Sequence, residues 1–482
     1  MTGPGPGLGG RGHDTDDVVA DAHRRWHADV LPGLVRYGEV PSLSPDFDPR
    51  WEETGHIARA AEILRAWADV RAVDGLEVEV IAPTGRTPVV LADAPPTRGA
   101  RGTVLVYGHL DKQPPMGEWR DGLAPFSPVR DGDRLYGRGI ADDGYALFAA
   151  LTAVELLDAH GIARPRVVTL IEASEESGSP DLPAHLDALA ERIGRPDLVV
   201  CLDSGCLSYD RLWLTTSLRG NLVVIVRVDV LTEGVHSGSA GGIVPTSLRV
   251  LRLLLDRLED PATGDVRLGA LHAEVPESHR PDGSVPWAAS DVLPTVPGLV
   301  LAGDSEADRL VRRAWAPALT VTGMDGVPAV RDGGNVLRPF TTAKLSVRLP
   351  PTVDAGTAAA AVTSALCADP PCGAQVSVQV ETPATGWAAP PLAPWALDAF
   401  VRASRDVFTR SPGTLGEGGT IPFLAMLDER YPGVPLVATG VLGPGSNAHG
   451  PNEFLHVPMA EAVTVATARL LEAAAAHAGG HR

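Results

Sequence analysis

At 482 residues the chain exceeds what one hydrophobic core usually sustains, so it should divide into two or three domains, one of them able to sit inside another. Apolar residues at 44% and charged residues at 21% exclude a globally disordered chain, and a formal charge of −19, from 60 acidic against 41 basic residues, excludes nucleic acid and anionic membranes as natural partners. The four cysteines (Cys201, Cys206, Cys367, Cys372) make no CxxC pair and are too few for a disulfide framework, so a reduced, cytoplasmic setting is expected. The opening MTGPGPGLGGRGHDTDD lacks the basic start and apolar run of a leader, and no later stretch reaches the roughly 18 apolar residues of a membrane span. Lysine occurs only at Lys112 and Lys344.

Residues 1 to 14 read as a Gly/Pro tail. Helical apolar spacing follows in DDVVADAHRRWHADVLPGLVRYGEV and again from His56 to Val70. Short β-branched runs then alternate with helices: LEVEVIA, TVLVYG, a helix through YALFAALTAVELLDAHG, VVTLIEA and LVVCLD. Such alternation predicts a mostly parallel sheet covered by helices on both faces. After Leu218 the rhythm changes. NLVVIVRVDVL reads as a long strand and SLRVLRLLLDRLED as an amphipathic helix, while AKLSVRLPP and AQVSVQVE are strands flanking an Ala-rich helix after Val353. The Pro/Gly-rich stretch from Pro261 to Pro317 carries no clear element. Near Pro383 the first rhythm resumes with PWALDAFVRASRDVF and PLVATGV. The expected architecture is α/β: a mostly parallel-sheet catalytic domain, 15–217 and 383–475, interrupted by an inserted α+β lid or dimerisation domain, 218–382. No internal repeat is visible.

Ligands of open α/β sheets bind beyond the carboxyl ends of the strands, so polar residues just after strands are the ones to collect. TVLVYG leads to His109 and Asp111, VVTLIEA to Glu175 and Glu176, LVVCLD to Asp203, and PLVATGV to a Gly-rich loop with His449; Asp142 and Asp143 precede a helix. Each has an ordinary alternative. An Asp before a helix is commonly an N-cap, two glutamates can be an acidic first turn, and a loop histidine is commonly solvated. Together, two histidines and several carboxylates without a cysteine form the N/O donor set of a catalytic metal site rather than a structural zinc site. In the extended GHLD segment residues two apart share a side, so Asp111 can fix the tautomer of His109. Of two adjacent glutamates, one can hold a metal while the other takes a proton from water.

These residues resemble a known family, the di-zinc metallopeptidases that include carnosine dipeptidases, glutamate carboxypeptidase, aminoacylases, acetylornithine deacetylase and succinyl-diaminopimelate desuccinylase. The likeness spans about residues 20 to 460 through YGHLDKQPP, LYGRGIADDG, EASEESGS, CLDSG, GVHSG, KLSVRLPP, GEGGTIP and NAHGPNE; EESGS and GEGGTIP look most like the carnosine dipeptidase branch. The resemblance implies that His109 and Asp203 hold one metal and Glu176 and His449 the other, with Asp142 bridging. It makes Glu175 the general base and acid and Asp111 the support of His109. It makes His236, in GVHSG, the lid histidine that reaches the neighbouring subunit's site in family dimers and stabilises the oxyanion. Arg348 would grip the substrate carboxylate as a planar fork, with Asn335 near the oxyanion and Glu417, Gly418, Gly419 and Thr420 as a substrate-binding loop. Taken alone, a strand arginine is a surface charge, GEGGT a plain turn, and His236 a solvated loop histidine.

Two positions depart from the family pattern. DDKG reads DDGY, with Gly144 and Tyr145, and the lid segment reads NVLRP, with Arg338 before Pro339. Both put substrate contacts in doubt and leave the metal ligands intact. The expected activity is two-metal hydrolysis of a peptide or amide bond beside a free carboxylate, by a dipeptidase or C-terminal exopeptidase working as a homodimer on small peptides. Two divalent ions per chain are expected, Zn by default with Mn or Co acceptable. The alternatives are an N-acyl amino acid amidohydrolase or biosynthetic amidase, and a silent binding protein, against which the intact Glu175 argues.

Overall fold

The computed structural model describes residues 15–280, 287–293, 295–381, 383–419 and 422–480. The Gly/Pro tail and Thr420 lie outside the described residues. The chain forms two compact units: Met1–Leu214, Pro391–Gly413 and Leu427–Arg482 make the first, Thr215–Pro390 and Thr414–Met426 the second.

In the first unit a six-stranded sheet runs in the order Glu77–Ile81, Val89–Ala94, Arg166–Glu172, Thr103–His109, Leu198–Cys201, Leu436–Ala438. The last four strands are mutually parallel, and the first two add an antiparallel edge. The core strands VLVYGH and VVTLIE are buried along their whole length, as parallel strands covered on both faces must be. Ala146–Ala159 is apolar on every side, ALFAALTAVELLDA, and is buried accordingly rather than amphipathic. The strand Val89–Ala94 carried no signal in the sequence reading; its run VVLADA is short and follows a Pro/Gly turn.

The second unit holds a four-stranded antiparallel sheet in the order Ala318–Asp325, Phe340–Leu349, Gly220–Asp229, Gln375–Val380. Strand Gly220–Asp229 alternates strictly between buried and half-buried residues, one face for the core and one left open. Two helices cover the core face. Ser247–Leu258 is capped by Thr246, whose hydroxyl accepts from Arg249 N at 3.2 Å, and Ala355–Cys367 by Asp354, whose carboxylate accepts from Thr357 N at 2.7 Å. Val250, Leu251, Leu254 and Leu258 pack there with Leu222, Val224, Leu345 and Val362. The edge strand Ala318–Asp325 was missed because it directly follows the unassigned Pro/Gly-rich stretch and its residues are mostly exposed.

Candidate metal centre

Three neighbouring strands of the first sheet end at the candidate site. His109 is the last residue of Thr103–His109, Glu175 and Glu176 sit in a 3₁₀ turn just after Arg166–Glu172, and Asp203 follows Leu198–Cys201 by two residues. Gly108 lets the strand reach its end: a Cβ there would lie 2.4 Å from Ala146 Cβ and 2.6 Å from Asp143 Oδ2. Asp142 lies in an irregular turn, Ile140–Gly144, ahead of the buried helix, and His449 sits in the loop after Leu436–Ala438 at φ 63°, a conformation uncommon outside glycine.

Asp142 stands between the two histidines. Its Oδ1 is 3.4 Å from His109 Nε2 and its Oδ2 2.9 Å from His449 Nε2. His109 Nε2 also faces Asp203 Oδ2 at 3.8 Å and Glu175 Oε2 at 4.0 Å, and His449 Nε2 faces Glu176 Oε2 at 3.2 Å. His109 Nε2 is shut off from solvent and makes no hydrogen bond. Donor atoms of His109, Glu175 and Asp203, and of His109, Asp142 and Glu176, lie within 4.8 Å of one another. Two donors about 2.1 Å from a shared ion stand roughly 3–4 Å apart, so the 3.4–4.0 Å spacings around His109 Nε2, long for hydrogen bonds, suit cation ligands.

The electrostatics point the same way. Burial, then the Asp203 charge, pushes the Glu175 carboxyl well above the carboxylate range; burial and Asp142 push Glu176 to about 8, and burial raises Asp203 to about 7 against the pull of His109. Burial would raise Asp142 too, but the facing imidazoles of His109 and His449 hold it below its ordinary value. Burial disfavours cationic His449, yet Asp142 and Glu176 lift it to about 9. Negative charge is thus gathered in a buried pocket beyond what two imidazoles neutralise, which a divalent cation would relieve. The residues present therefore fit bound metal. Cys201 takes no part: its thiol is turned to the Asp203 carbonyl at 3.6 Å and is kept protonated by burial.

Asp111 does more than support His109. The ring Nδ1 lies 3.1 Å from the Asp111 carbonyl oxygen and 3.5 Å from its carboxylate, whose two oxygens accept the backbone N–H groups of Glu175 at 3.1 Å and Glu176 at 3.0 Å. One buried residue thereby sets the tautomer of a histidine through its carbonyl and the direction of both glutamates through its carboxylate. The sequence reading missed several supporting residues. Gln113 Nε2 donates to Glu176 Oε2 at 2.7 Å, and buried Glu453 accepts from Arg138 NH1 at 2.5 Å and Gly139 N at 3.0 Å, holding the Asp142 turn. Both lie inside quoted motifs, Gln113 in YGHLDKQPP and Glu453 in NAHGPNE, but the partner of Glu453 is over 300 residues away in sequence, which no local pattern indicates.

The Gly144–Tyr145 departure is filled inward. A Cβ on Gly144 would meet the Tyr37 ring at 2.1 Å, and Tyr145 is fully buried, its hydroxyl donating to the Leu202 carbonyl at 2.6 Å beside Asp203. Tyr145 thus ties the segment after Asp142 to the one before Asp203.

The remaining candidates lie in the second unit. His236 is exposed and pairs across a two-residue ladder with Val336, next to exposed Asn335, whose carbonyl accepts from Ser237 N at 2.9 Å. Arg348 is half-buried on the open face of Phe340–Leu349, and burial lowers its pKa. Glu417 accepts from Arg313 NH2 at 2.5 Å, and the Gly418 carbonyl accepts from Arg219 Nε at 3.1 Å. Arg219 is itself lowered to about 10, by burial and then by the charges of Arg348 and Arg313. These three arginines form one cationic group beside the glycine loop; only Arg348 was visible in the sequence, because Arg219 and Arg313 lie in an unremarkable turn and helix.

A profile of Peptidase family M20/M25/M40 matches residues 105–476. The chain belongs to this family. A cysteinylglycine-S-conjugate dipeptidase from Corynebacterium striatum is 30% identical over 371 residues, 75% of this chain and 80% of the relative. The human Beta-Ala-His dipeptidase is 27% identical over 459 residues, 90% and 87% of the two chains. The solved structure of the di-peptidase Dug1p from Saccharomyces cerevisiae superposes with a TM-score of 0.76 at 21% identity, covering 96% of this chain and 99% of that one, which shows the shared fold. The chain is accordingly a metal-dependent peptidase whose relatives are metallo-dipeptidases, and divalent metal is part of its chemistry. Among the described residues no helix is long and apolar enough to cross a membrane.

Proposed function

We propose that this peptidase is a two-metal dipeptidase that cleaves the peptide bond next to a free carboxylate. The carrying observation is the position of Asp142, one carboxylate oxygen toward His109 and the other toward His449. In this reading His109 and Asp203 hold one ion, Glu176 and His449 a second, and Asp142 both. Two divalent ions there, zinc by expectation and manganese or cobalt with the same donors, would lower the pKa of a water and polarise the scissile carbonyl.

Glu175 then removes the proton from the attacking water and hands it to the leaving amine. Its backbone N–H is held by the Asp111 carboxylate, and burial raises its carboxyl above the ordinary range, which favours taking up a proton. The exposed ring of His236 is assigned to the oxyanion, across a subunit boundary in a homodimer, with Asn335 beside it. Arg348, assisted by Arg219 and Arg313, takes the substrate carboxylate, and Glu417, Gly418, Gly419 and Thr420 are assigned to the substrate-binding loop. Four free cysteines suit a reducing, cytoplasmic compartment. The relatives' names direct the substrate screen to cysteinylglycine and β-alanyl dipeptides.

The test combines elemental analysis with hydrolysis of dipeptides against N-acyl amino acids. The reading expects close to two divalent ions per chain, at least one lost in His449→Ala, and faster turnover of dipeptides. No bound metal, or preference for N-acyl amino acids, overturns it.

A further inference from the structure

A second group of metal donors stands apart from this centre. The helix Thr15–Arg25 continues into a π-turn, Trp26–Val30, and His23 and His27, four residues apart, project from the same side. Trp26 between them is fully buried and donates from its indole Nε1 to Thr464 Oγ1 at 2.9 Å, which fixes the register of this segment against the C-terminal helix Val457–Gly480. Glu461, one turn before Thr464, therefore faces both imidazoles: its Oε2 lies 3.0 Å from His23 Nδ1 and its Oε1 3.2 Å from His27 Nε2. The two rings are 4.2 Å apart between centroids, and all three donor atoms fall within 4.8 Å of one another.

Two further features mark this as more than a charged surface. Glu461 Oε1 is closed off from solvent and makes no hydrogen bond, although His27 Nε2 is only 3.2 Å away. His23, in contrast, is 61% exposed at its side chain, so an ion can enter from solvent without opening the core. Two imidazole nitrogens and one carboxylate oxygen, with room for water, make a set preferred by zinc, nickel and copper and not by magnesium or calcium, which seek oxygen.

We infer that His23, His27 and Glu461 form a separate binding site for a divalent transition-metal ion, which clamps the N-terminal helix onto the C-terminal one. His23 and His27 precede the family-matched residues 105–476, whereas Glu461 falls within them. Binding through His27 Nε2 places the ring proton on Nδ1. In the structure Nδ1 instead faces Arg130 NH1 at 3.0 Å, so the ion must displace this exposed arginine, whose charge opposes it. Arg130 thus weakens the site and is a handle on it.

The test is equilibrium dialysis of the metal-loaded enzyme against micromolar Zn²⁺, with the melting temperature followed in parallel. The wild type should take up one more equivalent than the His23→Ala/His27→Ala double variant and should gain thermal stability with Zn²⁺ where the variant does not. Glu461→Gln should weaken this uptake at least about tenfold, and Arg130→Ala should tighten it. His23→Ala alone, at an exposed position, serves if the double variant folds poorly. Equal uptake by wild type and variant, or a zinc-dependent rise in melting temperature that survives loss of both histidines, overturns the site. The catalytic metals are present in every sample, so failure here leaves the dipeptidase reading untouched.

Discussion

The two large sheets solve the same problem of burial differently, and the difference decides where each can carry polar chemistry. In the first unit the strands Thr103–His109 and Arg166–Glu172 are covered on both faces, so functional polar groups are pushed to the strand ends, where His109, Glu175, Glu176 and Asp203 collect. In the second, strands such as Gly220–Asp229 bury only every other residue, so a charged residue like Arg348 can stand within a strand, on the open face. Chemistry in the first unit is confined to a rim; in the second it can occupy a wall.

The largest effect should come from the rim. Glu175→Gln keeps shape, fold and metal content but removes a proton acceptor, so turnover should fall by about two to four orders of magnitude in a metal-replete protein. Near-normal turnover in steady-state assays would break the assignment of chemistry to the strand ends.

A charge placed inside the doubly covered sheet should act on folding instead. Val106 is fully buried, and Val106→Asp should cost about 4 kcal/mol or more, seen as loss of cooperative unfolding or of soluble protein. The matched change in the other sheet is Val321→Asp, on an edge strand at a residue 40% exposed, expected within about 0.5 kcal/mol of wild type by urea denaturation. Equal losses would erase the contrast between the sheets.

The wall is tested through binding. If Arg348 pairs with the substrate carboxylate, amidating that carboxylate should cost the wild type about 2–3 kcal/mol in kcat/KM, and Arg348→Ala should lose most of this discrimination. Retained preference for the free acid in the variant would remove Arg348 from the site.

A smaller effect concerns Lys112, fully buried next to Asp111 of the candidate centre. Burial lowers it to about 7, although its ammonium donates to the carbonyls of Val40 at 2.8 Å and Tyr37 at 3.1 Å. Its folded pKa is below the unfolded value near 10.4, so between these limits the unfolded chain binds more protons and stability rises with pH, by up to about 1.4 kcal/mol per pH unit. Lys112→Met should flatten this rise between pH 7.5 and 9.5 in denaturant titrations. An unchanged slope would show that Lys112 is charged in the folded protein throughout that range.

Much of the fold was legible because local rules agree with it. The continuous apolar runs of the parallel strands, the all-round apolar helix ALFAALTAVELLDA and the amphipathic SLRVLRLLLDRLED each state their burial in their periodicity. The strands Val89–Ala94 and Ala318–Asp325 escaped because one is a short run behind a turn and the other an exposed edge with little apolar signal. Among candidate ligands, position after a strand was enough to collect His109, Glu175, Glu176, Asp203 and His449, since strand ends of a parallel sheet converge by topology alone.

What sequence by itself determined, then, was the kind of donor, the order of the motifs and the sheet edge where they meet, because these depend on short-range pattern. Only the tertiary structure decided which atom faces which. Glu453 reaches the Asp142 turn from more than 300 residues away, Asp111 divides its carboxylate between two glutamate amides, and Tyr145 turns inward to Leu202. Likewise His23 and His27 acquire a meaning only when the Trp26 to Thr464 bond brings Glu461 across from the far end of the chain. Such contacts are set by packing between distant segments, and no local periodicity encodes them.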